Sequence, residues 1–499
     1  MIGVTIAQSN PITYILVTTA LILSAFLVFL YKAKQKSLPP GPWGLPVIGC
    51  LPLLDKSAPF KSMVKLTEKF GNVYSLQMGS TMVVVLNGYQ AIKEAFVNKG
   101  DTFKGRPSMV LSDLIGAGRG IVFATYDDDY KEQRNFAVSA LKGFGWGSSA
   151  FADRVMNEVD GLIEDFESIG AKPFAPFHYV RNSVCNIIFS IVFGRRYRHD
   201  DAEFRNLLTT HHQNMLLCGS ATAVNFIPLL QYLPFGNYQK VLTNHVYFRT
   251  CLMDMIEKHK RTYNPDDIRD FIDLYLREIE IRQQRNEKSS FDYDNIRRVA
   301  NDLFTVGTET TATTILWLIL YMVAFPEVQQ RVYDELKRVV GTDRRPNLED
   351  KPKLPYIEAT IMEVQRIASV LPLSVPHSSM VDTEINGHKI PKDTVVIANL
   401  WSVLHESDGW EEPEKFNPER FLNKDGSVHR PDNFIPFSVG ARMCLGEQTA
   451  KMELFLFFSC LIHKFKFGMP DGASYPNLVG KTGITLSPHP YEVCVFPRA

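Results

Sequence analysis

Residues 437–446 read FSVGARMCLG and place one cysteine, Cys444, in a turn bracketed by glycines. The sequence that follows, LGEQTAKMELFLFFSCLI, has strong helical character and predicts a helix that begins directly after the cysteine. Unpaired N–H groups at a helix N-terminus lower the pKa of a thiol, and a thiolate can bind a metal ion. Gly440 permits a sharp turn, and Arg442 supplies a nearby cation. The stretch alone leaves open an inert buried cysteine, the commonest environment for this residue type.

The composition excludes several classes of protein. The chain has 499 residues with 54 basic and 54 acidic side chains, so its formal net charge is zero. A protein that binds nucleic acid through its whole surface has a basic excess, which is missing here. The 7 cysteines are scattered and form no C-x-x-C pair, which argues against a disulfide scaffold or a structural zinc site. Cysteine usage of this kind is typical of a reducing compartment.

The N-terminus predicts a membrane anchor. Residues 11–31, PITYILVTTALILSAFLVFLY, carry no charge and are long enough to cross a bilayer as a helix. The cations of KAKQK follow this run, and positive residues favour the cytosolic side, which indicates a retained anchor rather than a cleaved signal peptide. We therefore expect a signal-anchor transmembrane helix and basic stop at residues 1–36, a proline-rich hinge at 37–49 and a single catalytic domain at 50–499.

The body of the chain predicts a mainly α fold with small β-sheets. Two short strands are expected within residues 73–88, a short helix within 89–100, and mostly helix from about 150 to 345. Further short strands are expected within 384–390 and 394–401. Residues 221–236 combine two prolines with apolar side chains, which suits equally a buried loop and a lid or membrane-touching loop.

A second motif lies within the apolar helix predicted at residues 299–320, VANDLFTVGTETTATTILWLIL. Gly307 weakens this helix near its middle, and threonine hydroxyls can bond back to the preceding turn. Glu309 and Thr310 at such a point could hold water and pass protons. Ordinary helix capping is the alternative.

A third motif, EVQR, places Glu363 and Arg366 on one face of a predicted helix, and FNPERF supplies Arg420 downstream. As an exposed ion pair the first two residues would contribute under about 1 kcal/mol to stability. The motif gains significance only if it is buried with a further partner.

Together these motifs resemble the cytochromes P450. FSVGARMCLG resembles the cysteine signature of that family, VGTETT its oxygen-activating motif, EVQR its glutamate–arginine pair and FNPERF its following arginine segment, in the family's order and spacing. PPGPWGLPVIG resembles the hinge of microsomal members. The segments NLWSVLHE, VPHSSM and GRP (residues 105–107) further resemble the second family of animal microsomal P450s. The resemblance implies a mainly α P450 fold with an N-terminal transmembrane helix.

The resemblance also implies a haem b cofactor whose iron is bound by the thiolate of Cys444. Phe437 would shield the sulfur, while Gly446 and Gly307 would make room for the macrocycle. The expected contacts to the haem propionates are Arg442, Arg134, His377 and Tyr130. Tyr130 departs from the family pattern, which usually has tryptophan at this position, so the resemblance leaves its contact with haem open.

On the oxygen side, the resemblance makes Thr310 and Glu309 the acid–threonine pair that hydrogen-bonds and relays protons. Val306 stands where alanine or glycine is usual, and its bulk is expected to narrow the pocket. The expected lining of a lipophilic pocket is Leu114, Phe123, Phe304, Val306, Leu371 and Ile484. Glu363, Arg366 and Arg420 would form a buried structural network. Arg119 is read either as a contact for an acidic substrate or as an exposed loop residue.

The activity implied is that of a monooxygenase, which inserts one atom of O2 into a lipophilic substrate such as a fatty acid, steroid or xenobiotic. No nucleotide-binding fingerprint is present, so NADPH would act indirectly through P450 reductase, with cytochrome b5 as a further partner. Lys131, Lys142 and Lys451 are the candidate docking cations. We expect a single-pass anchor in the endoplasmic reticulum membrane with the catalytic domain in the cytosol. The alternatives are a haem-thiolate enzyme that rearranges peroxides, which typically lacks the acid–threonine pair, and a haem-based sensor or lipid carrier.

Overall fold

The computed structural model describes residues 18 and 19, 38–145, 148–219 and 223–498. The predicted anchor at residues 1–36 lies outside the described residues, apart from residues 18 and 19. Within the described ranges one helix, Tyr293–Ala324, has the length and apolar composition of a membrane span, and 78% of its most apolar window is buried in the protein. That burial is what the central helix of a folded domain requires.

Helices form most of the regular structure, as the sequence predicts. In chain order the described α-helices are α1 (Pro59–Phe70), α2 (Gly88–Lys93), α3 (Val110–Ile115), α4 (Asp128–Gly143), α5 (Ser149–Ile169), α6 (Phe177–Val192), α7 (Ala202–Leu217), α8 (Asn237–Thr262), α9 (Phe271–Gln284), α10 (Tyr293–Ala324), α11 (Pro326–Val339), α12 (Pro355–Ala368), α13 (Leu400–Leu404) and α14 (Glu447–Lys464). The described strands are β1 (Val73–Met78), β2 (Thr81–Leu86), β3 (His377–Ser378), β4 (Thr383–Ile385), β5 (His388–Ile390), β6 (Val395–Ala398), β7 (Phe465–Gly468), β8 (Gly480–Thr482), β9 (Leu486–Pro488) and β10 (Cys494–Pro497).

Helix α10 forms the centre of the molecule. The Asp292 carboxylate caps its N-terminus by accepting the N–H groups of Asp294 and Asn295. Beyond the first turns the helix is apolar on nearly every side, and residues 311–324 are buried. A helix of this kind is stable only when neighbours cover it, and α10 packs against α6, α9, α12 and α14.

The largest sheet has the strand order β1-β2-β6-β3. β1 and β2 form the antiparallel hairpin predicted at residues 73–88, turning at Gly79 and Ser80. β6 pairs in parallel with β2 and antiparallel with β3. Alternating side chains of these strands enter two separate apolar clusters, so both faces of the sheet are covered. The remaining strands form two-stranded sheets around the helical core.

The segment at residues 223–236 combines both interpretations that its sequence allows. It forms short 3-10 turns at Ala223–Asn225 and Pro228–Tyr232. Phe226 is fully buried, and its carbonyl accepts the Ser80 N–H at 3.0 Å. Tyr232 and Phe235, in contrast, are 76% and 69% exposed. One end of the segment is therefore fixed against the sheet, while the other presents an apolar surface.

Candidate cofactor site and substrate cavity

The loop that carries Cys444 is fixed by its own backbone. Cys444 donates its N–H to the Phe437 carbonyl at 3.1 Å, and Met443 donates to the Gly440 carbonyl at 3.0 Å. Gly440 has a φ of +83°, and a Cβ atom there would lie 1.9 Å from the Phe96 carbonyl oxygen. Only glycine meets both requirements, so the loop has one shape.

The Cys444 side chain opens into a cavity at the point where α14 begins, because Gly446 is the N-cap of that helix. Burial raises the pKa of the Cys444 thiol, while the Gly446 N–H and the charge of Arg134 lower it. The helix N-terminus therefore acts in the predicted direction, but burial outweighs it for the free thiol. A bound metal cation would deprotonate such a thiol outright.

Three arginines line the same cavity. Arg442 donates to the carbonyls of Lys104 at 2.9 Å and Ala124 at 2.7 Å. Arg106 donates to those of Val122 at 2.9 Å and Pro376 at 2.9 Å. Neither guanidinium has an acidic partner among the described residues, and burial together with the charge of Arg442 lowers the pKa of Arg106 to about 9.

The third arginine, Arg134 on α4, also lines the cavity and is half-buried. Partly buried arginines that share one cavity and lack acidic partners favour an anion beside them. Arg106 belongs to the GRP segment noted in the sequence, but the role of its charge could not be read from that motif. Its significance lies in its closeness to Arg442, which a sequence does not display.

Tyr130 and His377 complete this side of the cavity. The Arg442 guanidinium lies 3.9 Å from the centre of the Tyr130 ring, so the ring supports the cation by its π face. His377 Nδ1 contacts the Phe103 carbonyl at 2.7 Å, and its ring stacks on Phe96 at 4.0 Å. Nδ1 therefore carries the proton, and Nε2 remains for a group in the cavity. Burial and the charge of Arg106 lower the pKa of His377 well below its usual range.

Buried polar atoms without partners provide a fit test for the implied cofactor. Ser438 Oγ, Thr449 Oγ1 and Glu453 Oε2 have no hydrogen-bond partner among the described residues, and all three residues line the cavity. Polar atoms are seldom left so in a complete site. A thiol, a wall of apolar side chains and uncompensated cations suit a flat iron macrocycle that carries carboxylates. The residues present thus fit haem.

Helix α10 borders the cavity opposite the cysteine. Val306, Gly307 and Thr310 line it, and Thr310 Oγ1 donates to the Val306 carbonyl at 2.8 Å. A Cβ atom on Gly307 would lie 2.7 Å from Ile188 Cδ1, so this glycine also lets α6 approach α10. The helix continues unbroken through the motif.

Comparison with known proteins agrees with this geometry. Residues 39–495 match the family model of cytochrome P450. The chain belongs to the cytochrome P450 family. It is 38% identical to cytochrome P450 2U1 of Bos taurus, over 96% of this chain and 93% of that protein. It is 38% identical to cytochrome P450 2D3 of Rattus norvegicus, over 96% and 97% respectively. It is 36% identical to cytochrome P450 2J2 of Homo sapiens, over 99% and 97%. The chain is thus a haem-thiolate monooxygenase of the P450 family.

Glu309 does not line the cavity, although the resemblance pairs it with Thr310 on the oxygen side. It is 2% exposed and lies outside the cavity lining formed by the described residues. Its Oε1 atom is 2.9 Å from His212 Nδ1 on α7, and it accepts the Thr485 hydroxyl at 3.3 Å. Burial raises the pKa of Glu309, but the His212 hydrogen bond and the charge of Arg181 outweigh burial and hold this pKa below its usual range.

The six predicted pocket residues lie in four different surroundings. Val306 and Leu371 line the main cavity, and Phe123 and Ile484 line a smaller adjoining pocket. Leu114 is half-buried and packs in the cluster that contains Ile484. The expectation for Phe304 is wrong: its side chain is fully buried in the helical core, with its ring 5.4 Å from that of Phe189 and 4.9 Å from that of Phe248. The turn of α10 directs Phe304 away from the face that carries Thr310.

Asp302 lines the cavity, and the sequence did not reveal the role of its carboxylate. It accepts the N–H groups of Ile121 at 2.7 Å and Val122 at 2.9 Å. Burial raises the pKa of Asp302 to about 6, although these two N–H groups act to lower it. The carboxylate fixes the loop before α4 to α10. The nearest signal in the sequence was its place in the ANDLF segment, four residues before Val306.

Glu363, Arg366 and Arg420 meet as the resemblance implies. Arg366 forms two bonds to the Glu363 carboxylate, at 2.7 and 2.9 Å, and Arg420 Nε reaches the same carboxylate at 3.1 Å. The Asn417 N–H adds a bond at 2.9 Å. The Glu363 and Arg366 side chains are fully buried, so the network is internal, with one carboxylate shared by two arginines.

Four surface cations are mostly engaged within the chain. Lys131 pairs with Asp128 at 2.8 Å, and Lys451 pairs with Glu447 at 2.7 Å. Arg119 pairs with Asp292 at 2.5 Å, so the structure supports neither a free loop cation nor a free contact for an acidic substrate. The fourth, Lys142, lies in the last turn of α4.

Proposed function

We propose that the chain binds haem b through the thiolate of Cys444 and uses O2 to insert one oxygen atom into a lipophilic substrate. The observation that carries the proposal is the Cys444 thiol, which faces a cavity with uncompensated arginines at its edge and Thr310 on the opposite wall. Haem iron, when bound to a thiolate, supplies the one-electron and oxygen chemistry of the reaction.

The residues of the chain are proposed to bind and orient the haem. Arg106, Arg134 and Arg442 are the proposed partners of the haem propionates, because guanidinium groups match carboxylate geometry. A propionate beside His377 would favour protonation of the ring against the effects of burial and Arg106, and Nε2–H would then donate to that propionate. Phe437 would cover the sulfur, and Gly446 and Gly307 would admit the macrocycle.

On the opposite wall, the Thr310 hydroxyl is proposed to exchange its bond to the Val306 carbonyl for one to a group in the cavity. Glu309 is proposed to move protons toward Thr310 through water. Val306 is 42% exposed into the cavity and is proposed to limit the shape of the substrate. A cavity with mostly apolar walls suits a fatty acid, steroid or xenobiotic.

We propose that residues 1–36 anchor the chain in the endoplasmic reticulum membrane, with residues 37–49 as the hinge and 50–499 as one cytosolic domain. Apolar side chains exposed after the anchor and in the 223–236 segment support contact with lipid: Trp43 is 64% exposed and Leu229 is 75% exposed. NADPH–P450 reductase, with cytochrome b5 as a second donor, is the proposed electron source. Of the candidate docking cations, Lys131 and Lys451 are paired within the chain, and Lys142 lies in the last turn of α4.

The test combines a spectrum with turnover. The ferrous carbon monoxide complex should absorb at a longer wavelength than a complex with an imidazole ligand, as is typical of a thiolate ligand, and Cys444→Ser should abolish that band. Cys251→Ser is the matched control, because Cys251 is half-buried and away from the cavity. Product formation should need O2, NADPH and reductase together. Rearrangement of a peroxide without O2 or reductase would overturn the proposal, and binding spectra across fatty acids, steroids and aromatic xenobiotics would then rank the substrates.

A further inference from the structure

A buried series of hydrogen-bonded side chains, Arg181–His212–Glu309, connects helices α6, α7 and α10. Arg181 on α6 donates through Nη2 to His212 Nε2 at 3.1 Å. His212 on α7 reaches Glu309 on α10 through Nδ1 at 2.9 Å. The Glu309 carboxylate also accepts the hydroxyls of Thr485 at 3.3 Å and Thr313 at 3.4 Å. All three contacts are made by one oxygen, Oε1, which fixes the direction of the Glu309 side chain outside the cavity lining.

The partners of His212 assign its proton. An arginine always donates, so Nε2 accepts from Arg181. A carboxylate only accepts, so Nδ1 carries the hydrogen that contacts Glu309. A neutral imidazole thus lies between a cation and an anion, with every bond oriented from Arg181 toward Glu309. Both charges remain buried without touching each other.

Among the described residues, few other charged or titratable groups surround Arg181, His212 and Glu309. Arg181 faces His212 from α6, Glu309 faces it from α10, and His211 is its neighbour on α7. Burial lowers the pKa of His211 to about 4, so His211 is neutral at physiological pH and bonds Thr305 Oγ1 at 3.2 Å instead. Tyr491, near Arg181, donates to the Leu316 carbonyl at 2.6 Å. Arg181 is the arginine whose charge acts on Glu309, and its Nε has no hydrogen-bond partner among the described residues.

We propose that His212 is a positioning residue for the proton relay: it holds the Glu309 carboxylate ionised and turned out of the cavity, and it couples that carboxylate to the charge of Arg181. The proposal rests on the proposed monooxygenase function, in which Glu309 moves protons. Because His212 lies on α7 and Glu309 on α10, the packing of α7 against α10 fixes where the relay carboxylate points.

The sign of the effect follows from the contacts. Without His212 the carboxylate loses its closest hydrogen-bond donor, and burial then favours the protonated form. The pKa of Glu309 therefore rises, and the acid limb of the pH profile moves to higher pH. A structural role alone would change stability without moving this limb.

The experiment uses the haem-loaded full chain, the single variants His212→Leu and Glu309→Gln, and the double variant. In infrared difference spectra, the protonated carboxyl band that Glu309→Gln removes is assigned to Glu309 and followed against pH. In His212→Leu that band should appear at higher pH than in the parent. Product formed per NADPH consumed should fall by roughly tenfold, below the usual contribution of a proton-transfer group because the carboxyl itself remains. The double variant should lose no more than Glu309→Gln alone.

His211→Gln is the matched control, because His211 is adjacent, more deeply buried than His212 and bonded to Thr305 rather than to Glu309; it should leave the Glu309 band and the pH profile unchanged. If His212→Leu does not retain the carbon monoxide band, Arg181→Met provides the same test, since it removes the cation and keeps the imidazole. An unchanged Glu309 titration in these variants, or losses that multiply in the double variant, would overturn the positioning role. Absence of O2-dependent product in the parent chain would overturn the proposed function instead, because the infrared measurement needs no turnover.

Discussion

The loop around Cys444 and the turn of α10 around Thr310 face each other across one cavity, yet they are fixed in different ways. The cysteine loop is held by contacts of its own backbone and by Gly440 against Phe96. The α10 turn is an ordinary helix whose side chains take their directions from neighbours. Glu309, which adjoins Thr310 in the motif, points to α7 rather than to the cavity. The sequence of a loop motif can therefore set its own geometry. The sequence of a helical motif sets only which residues share a face of the helix, and the neighbouring elements decide where each side chain points.

The network behind the cysteine loop provides the largest test of this comparison. Glu363→Gln removes the anion that Arg366 and Arg420 share and leaves two buried cations without a partner. We expect a loss of about 3 kcal/mol in stability, with loss of haem rather than altered products. Thermal unfolding and the yield of the carbon monoxide band measure both effects.

Glu358→Gln is the matched control on the same helix, because Glu358 pairs with Lys351 at 3.2 Å near the surface. An ion pair of that kind contributes less than about 1 kcal/mol. Equal losses of stability in the two variants would mean that burial does not determine how much each ion pair contributes to stability.

Gly440→Ala tests whether close approach, rather than backbone angle, fixes the cysteine loop. Gly440 and Gly426 both have a φ of +83°, but a Cβ atom on Gly426 would meet nothing within 4 Å. We expect Gly426→Ala to cost about 1 kcal/mol from the left-handed backbone alone. Gly440→Ala should cost about 3 kcal/mol because overpacking against Phe96 adds to that strain. Urea unfolding of both variants gives the difference in stability. Equal losses of stability would show that the close approach to Phe96 does not restrict position 440.

Asp302→Asn tests whether a buried charge on α10 makes the stability of the protein depend on pH. The folded pKa of Asp302, about 6, lies above its usual value of 3.8, so the native state binds this proton more tightly than the unfolded chain. The stability that this group contributes is full below pH 3.8 and is lost as the pH rises through 6. The neutral amide keeps acceptors for Ile121 and Val122 and lacks this dependence.

Asp302→Asn should therefore gain on the parent by up to about 3 kcal/mol between pH 4 and pH 7, from 1.36 kcal/mol for each unit of pKa. Thermal unfolding midpoints across that range give the difference curve. A flat difference between the two proteins would show that the Asp302 charge carries no cost in the fold.

Val306→Ala has the smallest expected effect on stability and addresses shape alone. Val306 is exposed to the cavity, so its loss should cost under about 1 kcal/mol and broaden the range of products formed. Val299→Ala is the control, because Val299 is fully buried one face away on α10 and should lower stability without changing products. Product profiles with a mixed substrate panel make the comparison, and an unchanged profile for Val306→Ala would contradict its role in the pocket.

Sequence reasoning was most successful where spacing along the chain sets the geometry. The hairpin at residues 73–88 follows from alternation and a Gly-Ser turn, and Glu363 and Arg366 follow from helical spacing. It failed for Phe304, because the sequence of α10 is apolar on nearly every side and so does not show which face meets the cavity. It also missed Asp302 and the charge of Arg106, whose roles depend on groups far away in the chain.

The sequence by itself determined the family, the order of the motifs, the helix that begins after Cys444 and the left-handed turn that only Gly440 can form. These features depend on residues close to one another along the chain, where backbone geometry and glycine freedom act directly. Only the tertiary structure decided that three arginines would share one edge of the cavity, and that Glu309 would turn toward His212 and Arg181. Those arrangements depend on burial and on charges brought together by packing, and burial sets the cost of each charge.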